Sequence, residues 1–422
     1  MPVIYQRTTC RLCGDRRLAC VLPLAASPIG DAYVSREELA AAQERYPVDL
    51  YLCRACGHAQ LGHVIDPEVL YRDYLYVTNS SLGLVEHFER YAEEVLRSVA
   101  PPAGSLVIDV GSNDGALLRA FKQHGLRVLG VDPARQIAVA ATAAGIETLP
   151  DYLTQELARS IRSTHGPAAL VTANNVFANV DDLAAFTEAV RALLAPDGVF
   201  VFEVFYLADL IRNMVFDFIY HEHLDYHSIK PLHAFFQRHG MALIGVQRVP
   251  VKCGSIRCTV QLAGGSRPVS PSVAAHLAEE SQMGLHEPAL FETFAAKIDA
   301  AHRQVIALVR QLQAQGKTIA GYGASVTATA LIYQFGLGDA LSFLLDDNPA
   351  KQHRFSPGLH LPVLQAQALY ERKPEVVMIL AWRYAQPILK QHQRYLEKGG
   401  QVIVPLPVMQ VLTGQPLALA SP

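Results

Sequence analysis

Short apolar runs alternate with longer stretches of helical period along most of this chain. Leu106–Val110, Val128–Asp132, Ala168–Thr172 and Gly198–Glu203 have the length and branching of strands, and amphipathic segments such as Leu183–Leu194 lie between them. That alternation predicts a parallel sheet covered on both faces by helices. Leu243–Leu262 alternates more loosely, contains Pro250 and Gly254, and reads as an antiparallel or edge addition. Val273–Gln315 is helical with an interruption at Gly284–Pro288. A second strand–helix series then opens at Thr318–Gly323 and continues through Leu341–Asp346, Val376–Leu380 and Gln401–Val404. Ahead of the first series, the chain is turn-rich to about Ile65. A Tyr-rich helical patch follows from Pro67 to Ala100 and ends at Pro101-Pro102. The expected partition is a small module over 1–66, a central α/β domain over 67–285 with lead-in helices, and a smaller C-terminal α/β domain over 286–422.

At 422 residues the chain is too long for one ordinary core, which agrees with that partition. The net charge is only -3 and no Lys/Arg block occurs, so nucleic acid and anionic membrane are excluded as main partners. The longest apolar stretch, Val199–Tyr220, is broken by Glu203, Asp209, Arg212 and Asp217 and makes a poor membrane span. A soluble cytoplasmic protein is expected. Its oligomeric state is open, and a monomer is compatible.

Four of the seven cysteines form two matched pairs, Cys10-x-x-Cys13-Gly14 and Cys53-x-x-Cys56-Gly57. Four thiolates suit tetrahedral Zn2+ and leave no open position, which points to a structural ion; buried or redox-active thiols are the alternative.

The loop Gly111-Ser112-Asn113-Asp114-Gly115 sits between a strand and a helix, without the third glycine of a dinucleotide fingerprint. Asp132 ends the next strand, where a carboxylate can accept from both ribose hydroxyls. An adenosyl group without phosphates fits, and S-adenosyl-L-methionine (SAM) is such a ligand. Asp109, Gly111, Ser112, Asn113, Gly115, Asp132, Pro133 and Asn174 are the candidate cofactor contacts.

Phe216–His227 is dense in titratable groups: Tyr220, His221, Glu222, His223, Tyr226 and His227. Methylation at carbon needs a base for the C–H and a donor for the developing enolate oxygen, and these residue types supply both. Metal binding by His-x-His is weaker for want of a third spaced ligand. Gly321-Tyr-Gly323 with Asp346 is a degraded dinucleotide motif that could take NAD, a diphosphate or nothing. Lys351 and Arg354 lie just beyond as candidate positive charges for substrate.

Together, the two cysteine pairs, the Gly111–Gly115 loop, Tyr220-His-Glu-His223, Gly321-Tyr-Gly-Ala324, Asp346-x-Asn-Pro349 and Pro357-Gly358 resemble the sugar C-methyltransferase family over nearly the whole chain. The resemblance implies a zinc-binding N-terminal domain, a central class I (Rossmann-like) methyltransferase domain and a C-terminal Rossmann-like domain. It implies SAM-dependent methylation at C3 of an NDP-4-keto-6-deoxysugar. It makes His223 the base, with Tyr220 and Glu222 in support, and Tyr76, Tyr226, Lys351 and Arg354 as substrate contacts. One departure stands out: members commonly carry His where this chain has Asn179. Asn179 is read as an auxiliary hydrogen-bonding group in the catalytic set. A non-methylating or O- or N-methylating relative, or a SAM- or nucleotide-sugar-binding protein, is the alternative.

Overall fold

The computed structural model describes residues 3–71 and 83–414, and the chain falls into two compact units. The first comprises Met1–Ala19, Tyr51–Asp209 and Glu222–Glu287; the second comprises Cys20–Leu50, Leu210–His221 and Pro288–Pro422.

The first unit is built on a seven-stranded sheet. Its parallel strands are β6 (Leu106–Val110), β7 (Arg127–Val131), β8 (Thr148–Leu149), β9 (Ala168–Asn174) and β10 (Leu194–Phe205). An antiparallel pair, β12 (Met241–Val249) and β13 (Ser255–Leu262), completes it. The order is β12-β13-β10-β9-β6-β7-β8. Every residue of β6 is buried, as an apolar run in the middle of a parallel sheet should be. The strand order reverses between β6 and β9, and in such sheets ligands bind beyond the carboxyl ends of the strands at that point. The helix Leu84–Val99 places Phe88, Tyr91, Ala92, Val95 and Val99 on one face. They pack with Leu117 and Phe121 of the helix after β6. Each of the larger apolar side chains buried there contributes roughly 1.5–3 kcal/mol.

The cysteine pairs belong to small antiparallel elements of the N-terminal region. β1 (Ile4–Gln6) pairs with β5 (His63–Ile65). A four-stranded sheet runs β11-β4-β3-β2, with β2 at Leu18–Leu22, β3 at Leu50–Cys53, β4 at Ala59–Leu61 and β11 at Asp225–Tyr226. Between β2 and β3 the chain visits the second unit.

The second unit carries a six-stranded sheet. β14 (Ile319–Tyr322), β15 (Leu341–Asp346), β16 (Val363–Gln365), β17 (Val376–Ile379) and β18 (Gln401–Val404) are parallel. The edge strand β19 (Gln410–Thr413) is reversed. Segment 20–50 is stitched into this unit. Val34 bridges Phe355, the Gly30 carbonyl accepts from the Thr329 hydroxyl at 3.0 Å, and Gly358 N–H donates to Gln43. The helical interruption expected at Gly284–Pro288 separates Pro271–Met283 from Pro288–Ala314. No helix of the described residues is long and apolar enough to cross a membrane.

Candidate functional site

At the carboxyl end of β6 the backbone turns sharply. Gly111 sits at φ 72, and its N–H donates to the Val131 carbonyl at 2.7 Å. A Cβ on Gly111 would run into the Val176 side chain, so residue type and close packing are linked there. The turn delivers the Asn113 N–H to Asp132 Oδ2 at 2.8 Å, and Asp132 Oδ1 accepts from Ala134 N–H at 2.9 Å, with Pro133 between. Burial raises the Asp132 pKa, and these two N–H groups pull it back. Beneath the loop, burial pushes Asp109 up to about 7. The Thr172 hydroxyl, donating at 2.6 Å, opposes that shift, and the Asp132 charge adds to it. Gly115 caps the following helix at φ 75.

Two other cofactor candidates carry a direct sign of a missing ligand. The buried Asn174 amide oxygen and nitrogen and the Ser112 hydroxyl find no hydrogen-bond partner among the described residues. Buried polar atoms are rarely left so, and a bound polar ligand is the usual resolution. The residues therefore fit SAM: a carboxylate placed for a diol, and free amide and hydroxyl groups for the polar remainder. Gly111→Ala is expected to cost about 1–2 kcal/mol of stability through the left-handed backbone alone. It should also weaken SAM binding; denaturation and calorimetric titration check both.

The acid–base run lies mostly inside the protein. Glu222 is 6% and His223 5% exposed, and Tyr226 is fully buried. In the first unit, the His223 ring packs 4.6 Å from Phe205, and Tyr226 packs 5.4 Å from the same ring. In the second unit, Tyr220 lies 6.2 Å from Phe218, and His221 Nε2 is 3.1 Å from the Tyr46 carbonyl. Asn179 turns on a hydrogen bond from its own N–H to the Val176 carbonyl at 2.7 Å, and its Oδ1 has no partner among the described residues.

Tyr71 was not a sequence candidate, yet its hydroxyl donates to the Glu222 carbonyl at 3.3 Å and bonds the Asn179 side chain. Burial first, and the Glu222 charge second, hold its pKa well above the phenol range, so it stays a donor. Its only sequence signal was membership of the Tyr-rich patch. Tyr76, chosen from that patch, lies outside the described residues. Also unforeseen is a buried set on Glu203. His87 Nε2 lies 2.7 Å from Oε1, the Arg257 Nε donates to Oε2 at 3.1 Å, and Arg257 stacks 4.0 Å over Tyr91.

In the second unit the glycine turn repeats the local geometry of the first. Gly323 N–H donates to the Leu345 carbonyl at 2.8 Å. Asp346 Oδ2 accepts from Ala324 N–H at 2.6 Å, and Oδ1 from Asn348 N–H at 2.8 Å. Lys351 and Arg354 are engaged elsewhere. Lys351 pairs with Asp31 and sits 4.6 Å over the Tyr33 ring; Arg354 donates to the Tyr33 carbonyl at 3.3 Å.

The four sulfurs of Cys10, Cys13, Cys53 and Cys56 lie within 4.8 Å of one another, with 3.6 Å between Cys10 and Cys56 and between Cys13 and Cys53. A zinc tetrathiolate with ~2.3 Å bonds has sulfur edges of ~3.8 Å, so the set fits Zn2+. The contact with Cys56 and burial both raise the Cys10 pKa, and only a cation makes four thiolates tolerable there.

A class I sheet whose glycine loop is tied to a carboxylate at the end of β7, with a tetrathiolate knuckle on the same chain, defines a zinc-carrying, SAM-dependent methyltransferase. Family models agree along the chain: a zinc binding domain over residues 10–71, a methyltransferase domain over 85–246, and a C-methyltransferase C-terminal domain over 250–407. The C-methyltransferase NovU of Streptomyces niveus is 36% identical over 407 residues, covering 96% of this chain and 97% of that one. This chain belongs to that C-methyltransferase family. A ubiquinone biosynthesis O-methyltransferase of Methylobacterium sp. (strain 4-46) is 34% identical over 102 residues, 24% of this chain and 41% of that one. Among solved structures, the Burkholderia thailandensis 1,6-didemethyltoxoflavin-N1-methyltransferase superposes with TM-score 0.36 at 18% identity, covering 49% of this chain and 96% of that one.

Proposed function

We propose that the protein methylates C3 of an NDP-4-keto-6-deoxysugar through an enolate. The observation that carries this reading is the buried His223 and Glu222. Glu222 adjoins the Tyr71 hydroxyl, which bonds the Asn179 side chain, and Asn179 follows the same strand, β9, that ends in Asn174. O- or N-methylation of an activated heteroatom needs no such set; removal of a carbon-bound proton does.

In this reading His223 takes the C3 proton, the C–H electrons become the C3–C4 double bond, and the carbonyl π pair moves onto the C4 oxygen. Asn179 donates a hydrogen bond to that oxygen, and Glu222 supports His223. SAM, when bound across Gly111 and Asp132 with Asn174 at its polar end, supplies the methyl group. The enolate electrons form the new carbon–carbon bond, the carbon–sulfur bond breaks, and the proton stays on His223. Positioning of the two reactants supplies much of the rate. Asp109 and Asn113 support the loop, and Tyr226 backs the Phe205 wall against which His223 packs.

The C-terminal Rossmann-like domain is proposed to carry a nucleotide-binding turn of its own. Support comes from Asp346, which repeats the hydrogen-bond pattern of Asp132. Lys351 and Arg354, which also tie segment 20–50 to this unit, remain the candidate positive charges for the substrate in this reading. The proposed partition remains a zinc module over 1–66, a methyltransferase domain over 67–285 and a Rossmann-like domain over 286–422, acting in the cytoplasm.

The test is incubation with SAM and dTDP-4-keto-6-deoxyglucose in deuterated water, read by mass spectrometry. The expected result is a product heavier by one methyl group, with deuterium at C3 of unreacted substrate. Methylation without exchange would replace the enolate with O-methyl transfer.

A further inference from the structure

Arg11 lies between the first two cysteines, but its side chain turns away from them and is completely buried. Its Nε donates to Asp181 Oδ1 at 2.9 Å. Its Nη1 donates to the carbonyl oxygens of Leu61 at 2.8 Å and Leu224 at 3.3 Å. Asp181 stands two residues past Asn179, and Leu224 directly follows His223. One guanidinium thus bonds both segments that carry the acid–base groups.

The backbone around it forms the same triangle. Leu61 N–H donates to the Leu224 carbonyl at 2.9 Å, and Asp225 N–H to the Ala178 carbonyl at 2.9 Å. β11 pairs with β4 through Asp225–Gln60 and Tyr226–Ala59. Gln60 Oε1 accepts from Arg11 N–H at 2.8 Å, which ties the first knuckle to β4. His58, two residues past Cys56, places Nε2 2.6 Å from Asp225 Oδ1 as a second tie.

Stability alone explains this poorly. Asp181 already has Arg7 at 3.0 Å, and Arg11 Nη2 is buried with no partner among the described residues. A buried donor left unmade is a cost. What a rigid planar fork adds over a point charge is fixed geometry among several acceptors.

We propose that Arg11 is a positioning residue for methyl transfer: it sets the spacing between the Asn179 segment and His223, so that closing the zinc knuckle also aligns the acid–base groups. This rests on the reading of His223 as the base. The experiment compares zinc-loaded full-length Arg11→Gln and Arg11→Lys with the unmutated protein. Zinc content and SAM affinity are expected to be unchanged. kcat with dTDP-4-keto-6-deoxyglucose should fall about 10- to 100-fold with KM nearly constant, the effect of displacing a catalytic group by about 1 Å. The His223 imidazole NMR signal, assigned by its loss in His223→Gln, should shift in Arg11→Gln and move part of the way back in Arg11→Lys. An unmoved signal with unchanged kcat would overturn the proposal. So would loss of zinc or of SAM binding in step with kcat, which would make Arg11 a support of the fold. Full turnover in His223→Gln would instead sink the assignment of the base, while the signal in Arg11→Gln still reports on positioning.

Discussion

His223→Ala is expected to lower methyl transfer by about 10²- to 10⁴-fold, the range for removal of a general base. SAM affinity should be retained. The two effects should separate because the proposed cofactor contacts are the Asp132 carboxylate and the loop at Gly111, whereas His223 packs against Phe205. His223 is nearly inaccessible to solvent, so water cannot readily replace it as proton acceptor. Deuterium exchange into the ketosugar should vanish together with methylation, because both need the same C–H cleavage. Turnover and SAM titration on one preparation decide the matter. Persistent exchange with lost methylation would move the base to another group, with the Glu222 carboxylate next to be tested.

Removal of zinc should have the largest effect on stability. Structural zinc sites supply ~10–16 kcal/mol of apparent binding free energy at neutral pH in small peptides, and most of that is folding free energy. Here Cys53 is buried at the end of β3, and its N–H donates to the His58 carbonyl at 2.8 Å, so the ion's ligands and the small sheet are one structure. Cys53→Ser is expected to lose the ion and to melt at least ~5 °C lower, since each 1 kcal/mol lost from a large chain shifts the midpoint by ~2–4 °C. Cys20→Ser is the control. Cys20 is exposed and outside the tetrathiolate, and its replacement should leave zinc content and melting unchanged. Metal analysis and thermal denaturation read both variants. An unaltered midpoint in Cys53→Ser would mean that the knuckle contributes nothing to folding.

Features encoded over a few residues were legible in the sequence, and features encoded by distant pairs were not. Cys-x-x-Cys spacing brings two sulfurs together by local turn geometry, so the ligand set could be named before any fold was known. The same holds for Gly111 and Asp132, which one strand–turn–helix–strand unit brings together. The broken helix at Gly284 and the antiparallel β12–β13 pair also followed from local pattern. The contacts of Lys351 and Arg354 with Asp31 and the Tyr33 carbonyl were not legible, because those partners are some three hundred positions away in a segment without periodicity. Arg11 was passed over for the same reason. Its acceptors at Asp181 and Leu224 have no spacing rule that links them to a cysteine knuckle. Tyr71 was one tyrosine among several, and only the fold distinguishes it.

The discontinuous second unit has a consequence for how the chain is made. Cys20–Leu50 leaves the ribosome early but belongs with residues beyond Pro288. At ~5–20 residues per second, roughly 20–70 s separate synthesis of Leu50 from that of Val404, the end of β18. Throughout that interval the tetrathiolate can close around its own two knuckles while the intervening segment waits for its partners at Thr329, Gln334 and Phe355. Zinc capture would then pin both ends of the waiting segment and keep it a short tethered loop. No single cut releases either unit whole, so fragments split near Pro288 would carry orphaned surface and depend on chaperones to stay in solution.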